Sequence, residues 1–423
     1  MNSSLAELTP PARSILASLV GASGVPRLAR SLLIGYLDRL RSGRLSVRFE
    51  DGSAATFGRV GEPSARMEIH DPRFYARVAW GGELGFAASF MAGEWSCDDL
   101  PALLTLFIAN REHLDNLQVS SSWAHRRASR LGHLLRANSL RGSRRNIRDH
   151  YDLGNELFAT FLDPSMTYSC AVFDEPGASL QQAQLSKLDR MIDLAQIGPD
   201  DEVLEIGCGW GSLALRAVER TGCRVTCLTL SESQKTWCEQ RISEAGMQDH
   251  IRVHLRDYRQ EPGRYDRIVS IEMLESVGRE NLAVYFERCE DLLRAGGRLA
   301  LQVITIDDDL YEEYTRGVDF IQRYIFPGGH LPSLAELRRI VATDTDLIWV
   351  ADHAIGPHYA TTLAVWRDRF LARATEIRQQ GFDDSFLRSW LYYFGYCEAG
   401  FTTGTIDTLQ IALERPAVAS RLS

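Results

Sequence analysis

The stretch V-L-E-I-G-C-G-W-G, Val203–Gly211, decides how the rest of the chain is read. A short, largely apolar run ends in glycines at three alternate positions, and an alanine- and leucine-rich helical pattern, Ser212–Glu219, follows. That order describes a buried parallel strand entering a tight turn and then a helix. Gly207, Gly209 and Gly211 let the backbone bend sharply and let a ligand approach where a Cβ would stand in the way. A dinucleotide fingerprint needs G-x-G-x-x-G, whereas this turn reads G-x-G-x-G. The shorter spacing suits a nucleoside without a pyrophosphate, and S-adenosylmethionine is the candidate.

On either side of this turn, from Asn146 onward, strands and helices alternate. After a helix at Leu180–Ala195, strands are expected at Glu202–Gly207, Arg224–Leu230, Arg252–Tyr258, Arg267–Ile271 and Arg298–Ile304. Two more close the pattern at Leu347–Ile355 and Thr408–Leu413. Repeated units of this length imply a doubly wound, mostly parallel α/β sheet, with ligands outside the carboxyl ends of the strands. Asp307–Val341 is mostly helical and too long for a simple connection, so it reads as a lid or substrate-binding insertion.

Upstream, residues 1–119 read as a small α+β accessory domain. Ile15–Leu40 has helical spacing broken near Gly24–Pro26, and Leu28, Leu32, Leu33, Tyr36, Leu37 and Leu40 share one face. That face packs on its own domain or, alternatively, touches lipid. Arg44–Val60 alternates around Glu50-Asp51-Gly52-Ser53, a hairpin signal. Strand continues to about Trp80, and helices follow at Gly81–Ala92 and Leu100–Asn110. Residues 120–145 form a basic linker, and 146–423 the larger domain.

Composition narrows the function classes. The net charge of −9 over 423 residues argues against general nucleic-acid binding. Yet eight arginines and two histidines lie between His125 and Arg148 with no acid among them. The stretch Arg126–Arg148 is either a solvated linker or a patch for anionic lipid headgroups, to which each arginine adds ~1 kcal/mol. Eight cysteines in so long a chain are not a disulfide framework. Cys223 and Cys227 sit in an apolar strand pattern, so no metal site is expected. Met1–Pro10 lacks the features of a signal peptide, and no run approaches the roughly 20 apolar residues of a membrane span. The expectation is a cytoplasmic protein whose membrane contact is peripheral, at the inner face.

Further stretches carry a resemblance. They are Y-D-L-G-N-E-L-F (Tyr151–Phe158), M-T-Y-S-C-A-V-F (Met166–Phe173) and L-T-L-S-E-S-Q (Leu228–Gln234). To these add Y-D-R-I-V-S-I-E-M-L-E-S-V-G (Tyr265–Gly278), R-Y-I-F-P-G-G (Arg323–Gly329) and H-Y-A-T-T-L (His358–Leu363). Together with the glycine turn they make the chain resemble the cyclopropane fatty acid synthases, including the mycolic acid cyclopropane synthases. The likeness runs from about Asn146 to the C-terminus, and more loosely into the first domain through M-A-G-E-W-S-C-D-D-L (Met91–Leu100).

The resemblance implies a Rossmann-like S-adenosylmethionine-dependent methyltransferase fold with a seven-stranded sheet, and an enzyme that passes a methylene from S-adenosylmethionine to a cis double bond in a phospholipid acyl chain. An alkene is a poor nucleophile, so the sulfonium methyl must be held in line with it in a dry pocket. Transfer leaves a carbocation, which aromatic faces stabilise. A base, thought to be bicarbonate in this family, then removes a proton from the added methyl so that the ring closes. By resemblance Tyr168, Ser169, Gly207, Gly209, Gly211, Thr229 and Gln234 approach the cofactor, and Asp257 and Tyr258 hold or stack the adenine. Tyr258 alternatively only closes a strand end.

The family's bicarbonate site carries over as Cys170, Glu275, Ile304 and Tyr359. Its histidine falls where this chain has Gln302, and a second family histidine falls at Ser276. A glutamine offers N–H donors to an oxyanion but cannot carry a proton or charge. Tyr151, Tyr324 and Phe326 line the acyl channel by resemblance, although Tyr324 is equally an ordinary core aromatic. Cys170 as a covalent nucleophile lacks the proline–cysteine motif of the enzymes that work that way. The family also implies a homodimer. The leading expectation is a cyclopropane-fatty-acyl-phospholipid synthase. Its rival keeps the first step, loses a different proton and leaves a methylene branch that is later reduced to a methyl branch; Gln302 keeps it open. A methyltransferase for a small soluble acceptor does not account for the accessory domain and insertion. Nor does a lipid binder without catalysis account for the retained site residues.

Overall fold

The computed structural model describes residues 24–114 and 153–417. Tyr151 and the arginine stretch Arg126–Arg148 lie outside them. Two compact units separate: 24–114 with Asp384–Tyr392, and 153–383 with 393–417.

In the first unit a helix spans Gly24–Leu37. Pro26 sits in its first turn, where a missing N–H is tolerated, so the expected break is this helix's start. Leu37 and Leu40 are buried, but Leu28 and Leu32 are 65% and 47% exposed, so the apolar face is only half covered. Strands β1 (Arg44–Arg48), β2 (Ala54–Gly58), β3 (Ser64–Ile69) and β4 (Trp95–Cys97) make a sheet of order β2-β1-β3-β4. β1 and β2 form the expected antiparallel hairpin, and β1 pairs with β3 in parallel. β3 ends at Ile69, however, and a helix begins at Arg73, where strand was expected to reach Trp80. The aromatic residues Phe74 and Tyr75 favour a strand locally, but both are buried on the inner face of this helix. The helix runs to Met91 with a kink at Gly82, where φ is +53°.

The second unit holds a seven-stranded sheet. Its strands are β5 (Glu202–Ile206), β6 (Arg224–Thr229), β7 (Ile251–Leu255), β8 (Tyr265–Ile271), β9 (Leu293–Ile306), β10 (Ile348–Ala354) and β11 (Ile406–Glu414). The order is β10-β11-β9-β8-β5-β6-β7, with β11 antiparallel to both neighbours and the other pairings parallel. The central strands are buried on both faces. On one side Leu274, Tyr285, Phe286, Leu292, Leu337 and Ile340 pack against them. On the other stand Leu188, Met191, Ile192, Leu213, Ala214 and Ile242. β7 stops three residues before Tyr258, because the Asp257 side chain accepts from the Arg259 N–H and turns the chain into a short 3₁₀ segment. The insertion after β9 contains a helix at Asp308–Arg316, a wide π-type turn at Ile321–Ile325 and a helix at Leu334–Asp344.

Candidate active site

The glycine turn caps β5 at the carboxyl edge of the sheet. The Gly207 and Cys208 N–H groups both donate to the Leu228 carbonyl, each at 3.0 Å, tying the turn to β6. All three glycines have positive φ, +82°, +52° and +84°. A Cβ on Gly207 would lie 2.7 Å from Met273 Cγ, and one on Gly211 2.3 Å from Cys238 Sγ. A Cβ on Gly209 would meet nothing within 4 Å. Packing therefore demands the outer two glycines, while the middle one presents an open backbone face, the cradle a nucleoside needs.

The expected cofactor residues are placed unevenly around it. Thr229, the last residue of β6, donates its Oγ1 hydroxyl to Gln234 Oε1 at 2.9 Å. Tyr168 donates its hydroxyl to Tyr393 at 3.0 Å, and its ring lies 5.2 Å from both Phe158 and Trp366. Ser169 Oγ accepts from the buried Lys187 Nζ at 2.6 Å. Both Asp257 oxygens are engaged by Arg259. Tyr258 is 7% exposed, set edge to face on Tyr285 at 5.3 Å, with no partner for its hydroxyl.

Cys170, Gln302 and Tyr359, taken from three distant parts of the chain, converge on a residue that sequence reasoning missed. Glu272 follows the last residue of β8 with φ of +50°, an uncommon conformation for a side chain of this size. Its Oε1 accepts from the Cys170 N–H and from Gln302 Nε2, both at 2.8 Å, and its Oε2 from the Tyr359 hydroxyl at 2.6 Å. Gln302 is oriented by Gln410 of β11, whose Nε2 donates to Gln302 Oε1 at 3.0 Å. Three groups expected around bicarbonate, Cys170, Gln302 and Tyr359, thus donate to the chain's own Glu272 carboxylate. The sequence signal was there: an acid directly after an apolar strand, at the sheet edge where ligands bind, three residues before Glu275.

The two carboxyls differ in character. Burial pushes Glu272 up, while the Tyr359, Cys170 and Gln302 donors and the Lys187 charge favour its ionised form. Glu275 Oε1 accepts from the Ile304 N–H at 2.6 Å, but its Oε2 is out of water and without a partner. Burial and the neighbouring Glu272 push Glu275 up to about 8, so it is the neutral member. Burial also raises the Cys170 thiol, which donates to the Ala171 carbonyl at 3.2 Å and is held in its protonated, less nucleophilic form.

Aromatic rings bound the site. Tyr359 stacks on Phe401 at 4.5 Å and meets Trp366 edge-on at 6.0 Å. Phe326 lies 6.1 Å from Tyr393, the residue that takes the Tyr168 hydroxyl, so it belongs to this wall. Tyr324 is 39% exposed and packs on Phe320, outside that wall.

Glu205 in the glycine motif is likewise pushed up to about 8 by burial. Glu205 and Glu275 are protonated in the fold at pH values where the unfolded chain has released those protons. Stability should therefore fall as pH rises from 6.5 towards 8, above the range in which His358, held below its usual 6.5, changes charge. Denaturant midpoints across that interval check this; a midpoint that rises with pH contradicts the assignment.

The sequence model of the mycolic acid cyclopropane synthetase family matches residues 138–411, most of the second unit and its glycine turn. The chain belongs to this family. It is 39% identical over 379 residues to "Tuberculostearic acid methyltransferase UfaA1" of Mycobacterium tuberculosis, covering 88% of each chain. It is 32% identical over 357 residues to the cyclopropane-fatty-acyl-phospholipid synthase of Escherichia coli K12, covering 84% of this chain and 89% of that one. The crystal structure of mycolic acid cyclopropane synthase CmaA1 complexed with SAH and CTAB superposes with a TM-score of 0.61 at 32% identity, over 64% of this chain and 98% of that one. The chain is thus an S-adenosylmethionine-dependent methyltransferase of the lipid-modifying kind, on a Rossmann-like fold. No helix among the described residues is long and apolar enough to cross a membrane.

Proposed function

We propose that this enzyme methylates the cis double bond of an unsaturated phospholipid acyl chain, with Glu272 as the base that resolves the resulting cation. The carrying observation is the Glu272 carboxylate seated among the Cys170, Gln302 and Tyr359 donors. Bound at Gly209, S-adenosylmethionine supplies an electrophilic methyl. The ring faces of Tyr168, Trp366 and Tyr359 favour positive charge and exclude water. Glu272 takes the place that bicarbonate was expected to fill, so turnover should persist in bicarbonate-free buffer.

The methyl adds to one alkene carbon and leaves the cation on the other. A hydride moving from the methylated carbon shifts the charge onto that carbon. Loss of a methyl proton to Glu272 then gives a methylene branch. Without the shift, loss of the same proton closes a cyclopropane. The two products therefore require no second base, contrary to the expectation that different protons leave. The 39% identity to a tuberculostearic acid methyltransferase favours the methylene-branched chain as product. The cyclopropane reading draws on the family match and the relative from Escherichia coli.

A membrane-borne substrate fits peripheral association with the membrane's inner face. Arg126–Arg148 is the candidate contact with anionic lipid, to be checked by vesicle sedimentation with and without anionic lipid. Incubation with labelled S-adenosylmethionine and unsaturated phospholipid vesicles, followed by mass spectrometry, should give acyl chains of unchanged length that carry one added carbon and still take up hydrogen. A product that resists hydrogenation establishes the ring, and labelling of water-soluble acceptors alone rejects both readings.

A further inference from the structure

The helix Leu180–Ala195 turns Leu180, Ala183, Gln184, Leu188, Met191 and Ile192 into the second unit. Lys187 lies on the same face and is 0% exposed. A lysine at such a position costs several kcal/mol unless its charge is compensated. Its Nζ donates to Ser169 Oγ, and among the described residues no carboxylate stands within ion-pair distance of it. The compensation therefore comes from charges further off. Of these Glu272 acts most strongly.

The connection to Glu272 is short in covalent terms. Ser169, which holds Nζ, precedes Cys170, whose N–H donates to Glu272 Oε1 at 2.8 Å. Gln184, one turn before Lys187, donates to the Ser169 carbonyl at 2.8 Å and fixes the same segment. Besides Gln302, the titratable groups facing Glu272 are Cys170 ahead of this helix, Tyr359 on the helix Gly356–Ala372, and Glu275 in the turn Leu274–Ser276. Cys170, Tyr359, Glu275 and Glu205 are all raised and neutral near pH 7. Asp163, near Lys187, accepts from the Ser165 N–H.

We propose that Lys187 is a positioning residue for the methyl-transfer reaction: a buried cation, moored on Ser169, whose charge keeps Glu272 ionised. This rests on the reading of Glu272 as the base. Burial lowers Lys187 itself to about 8, so it carries its proton through the neutral range. Removing the cation raises Glu272 further and shrinks the fraction able to accept a proton.

The test is the pH profile of turnover for Lys187→Met, with S-adenosylmethionine affinity measured in parallel. The acid limb should move up by about one unit, a loss of about tenfold on that limb, with cofactor affinity unchanged. The gap to the parent should close above pH 8, where the parent's Lys187 has also lost its proton. Lys187→Arg keeps the charge and should keep the parent's limb. Should Lys187→Met fail to fold, Lys187→Gln, which retains a donor for Ser169, carries the same test. An unshifted limb, or a limb moved equally far by Lys187→Arg, overturns the proposal and leaves Lys187 a clamp. Glu272→Gln in the same assay separates the two failures. Parent-like turnover there rejects the base, whereas an inactive Glu272→Gln beside an unshifted Lys187→Met rejects only the role of Lys187.

Discussion

Glu272→Gln should lower turnover by about 10²–10⁴-fold, the usual contribution of a positioned general base. Binding of S-adenosylmethionine should stay close to that of the parent, because Glu272 is hydrogen-bonded to Cys170, Gln302 and Tyr359 rather than to the glycine turn. The amide keeps the volume and one acceptor but removes the negative charge, so the loss reports proton transfer rather than packing. Glu272→Gly sharpens the test. Glycine accepts the +50° φ without strain, and truncation frees the Cys170, Gln302 and Tyr359 donors. Added bicarbonate or formate should enter that space and restore part of the rate to Glu272→Gly, yet leave Glu272→Gln unaffected. Parent-like turnover in Glu272→Gln would show that another group takes the proton. Glu275→Gln should be the milder change, since Glu275 is already neutral at pH 7.

Why the sequence led to Cys170, Gln302, Ile304, Tyr359 and Glu275 but passed over Glu272 has a physical answer. The glycine turn and the apolar strands are local patterns, and their boundaries in the structure fall within a few residues of the expected ones. The five site residues were carried over from family motifs. Glu272 has no such local signature. An acid after a strand is ordinarily solvated, and only its positive φ and the register of β8 against β9 turn it towards Gln302. Its partners lie 102, 30 and 87 residues away along the chain. Lys187 was hidden for the same reason, since its one hydrogen bond reaches back to a loop. Tyr258 was likewise placed by its motif position, and in the structure the 3₁₀ turn after β7 sets its ring edge to face on Tyr285.

Gly211→Ala and Gly209→Ala should separate the two duties of the turn. At Gly211 an added methyl adopts φ of +84° and sits 2.3 Å from Cys238 Sγ, itself fully buried. Left-handed strain of about 1–2 kcal/mol and overpacking of about 1–3 kcal/mol add to a loss of roughly 2–5 kcal/mol in folding stability. A denaturant titration should show that loss directly, and Cys238→Ala in the same chain should recover the overpacking share but not the strain. At Gly209 the methyl meets no protein atom within 4 Å, so stability should fall by only about 1–2 kcal/mol, the strain alone. Its cost appears instead in S-adenosylmethionine binding, expected to weaken roughly tenfold or more, or about 1.4 kcal/mol. Equal loss of stability in both variants, or parent-like cofactor affinity in Gly209→Ala, would mean that the open backbone face at Gly209 is not where the nucleoside rests.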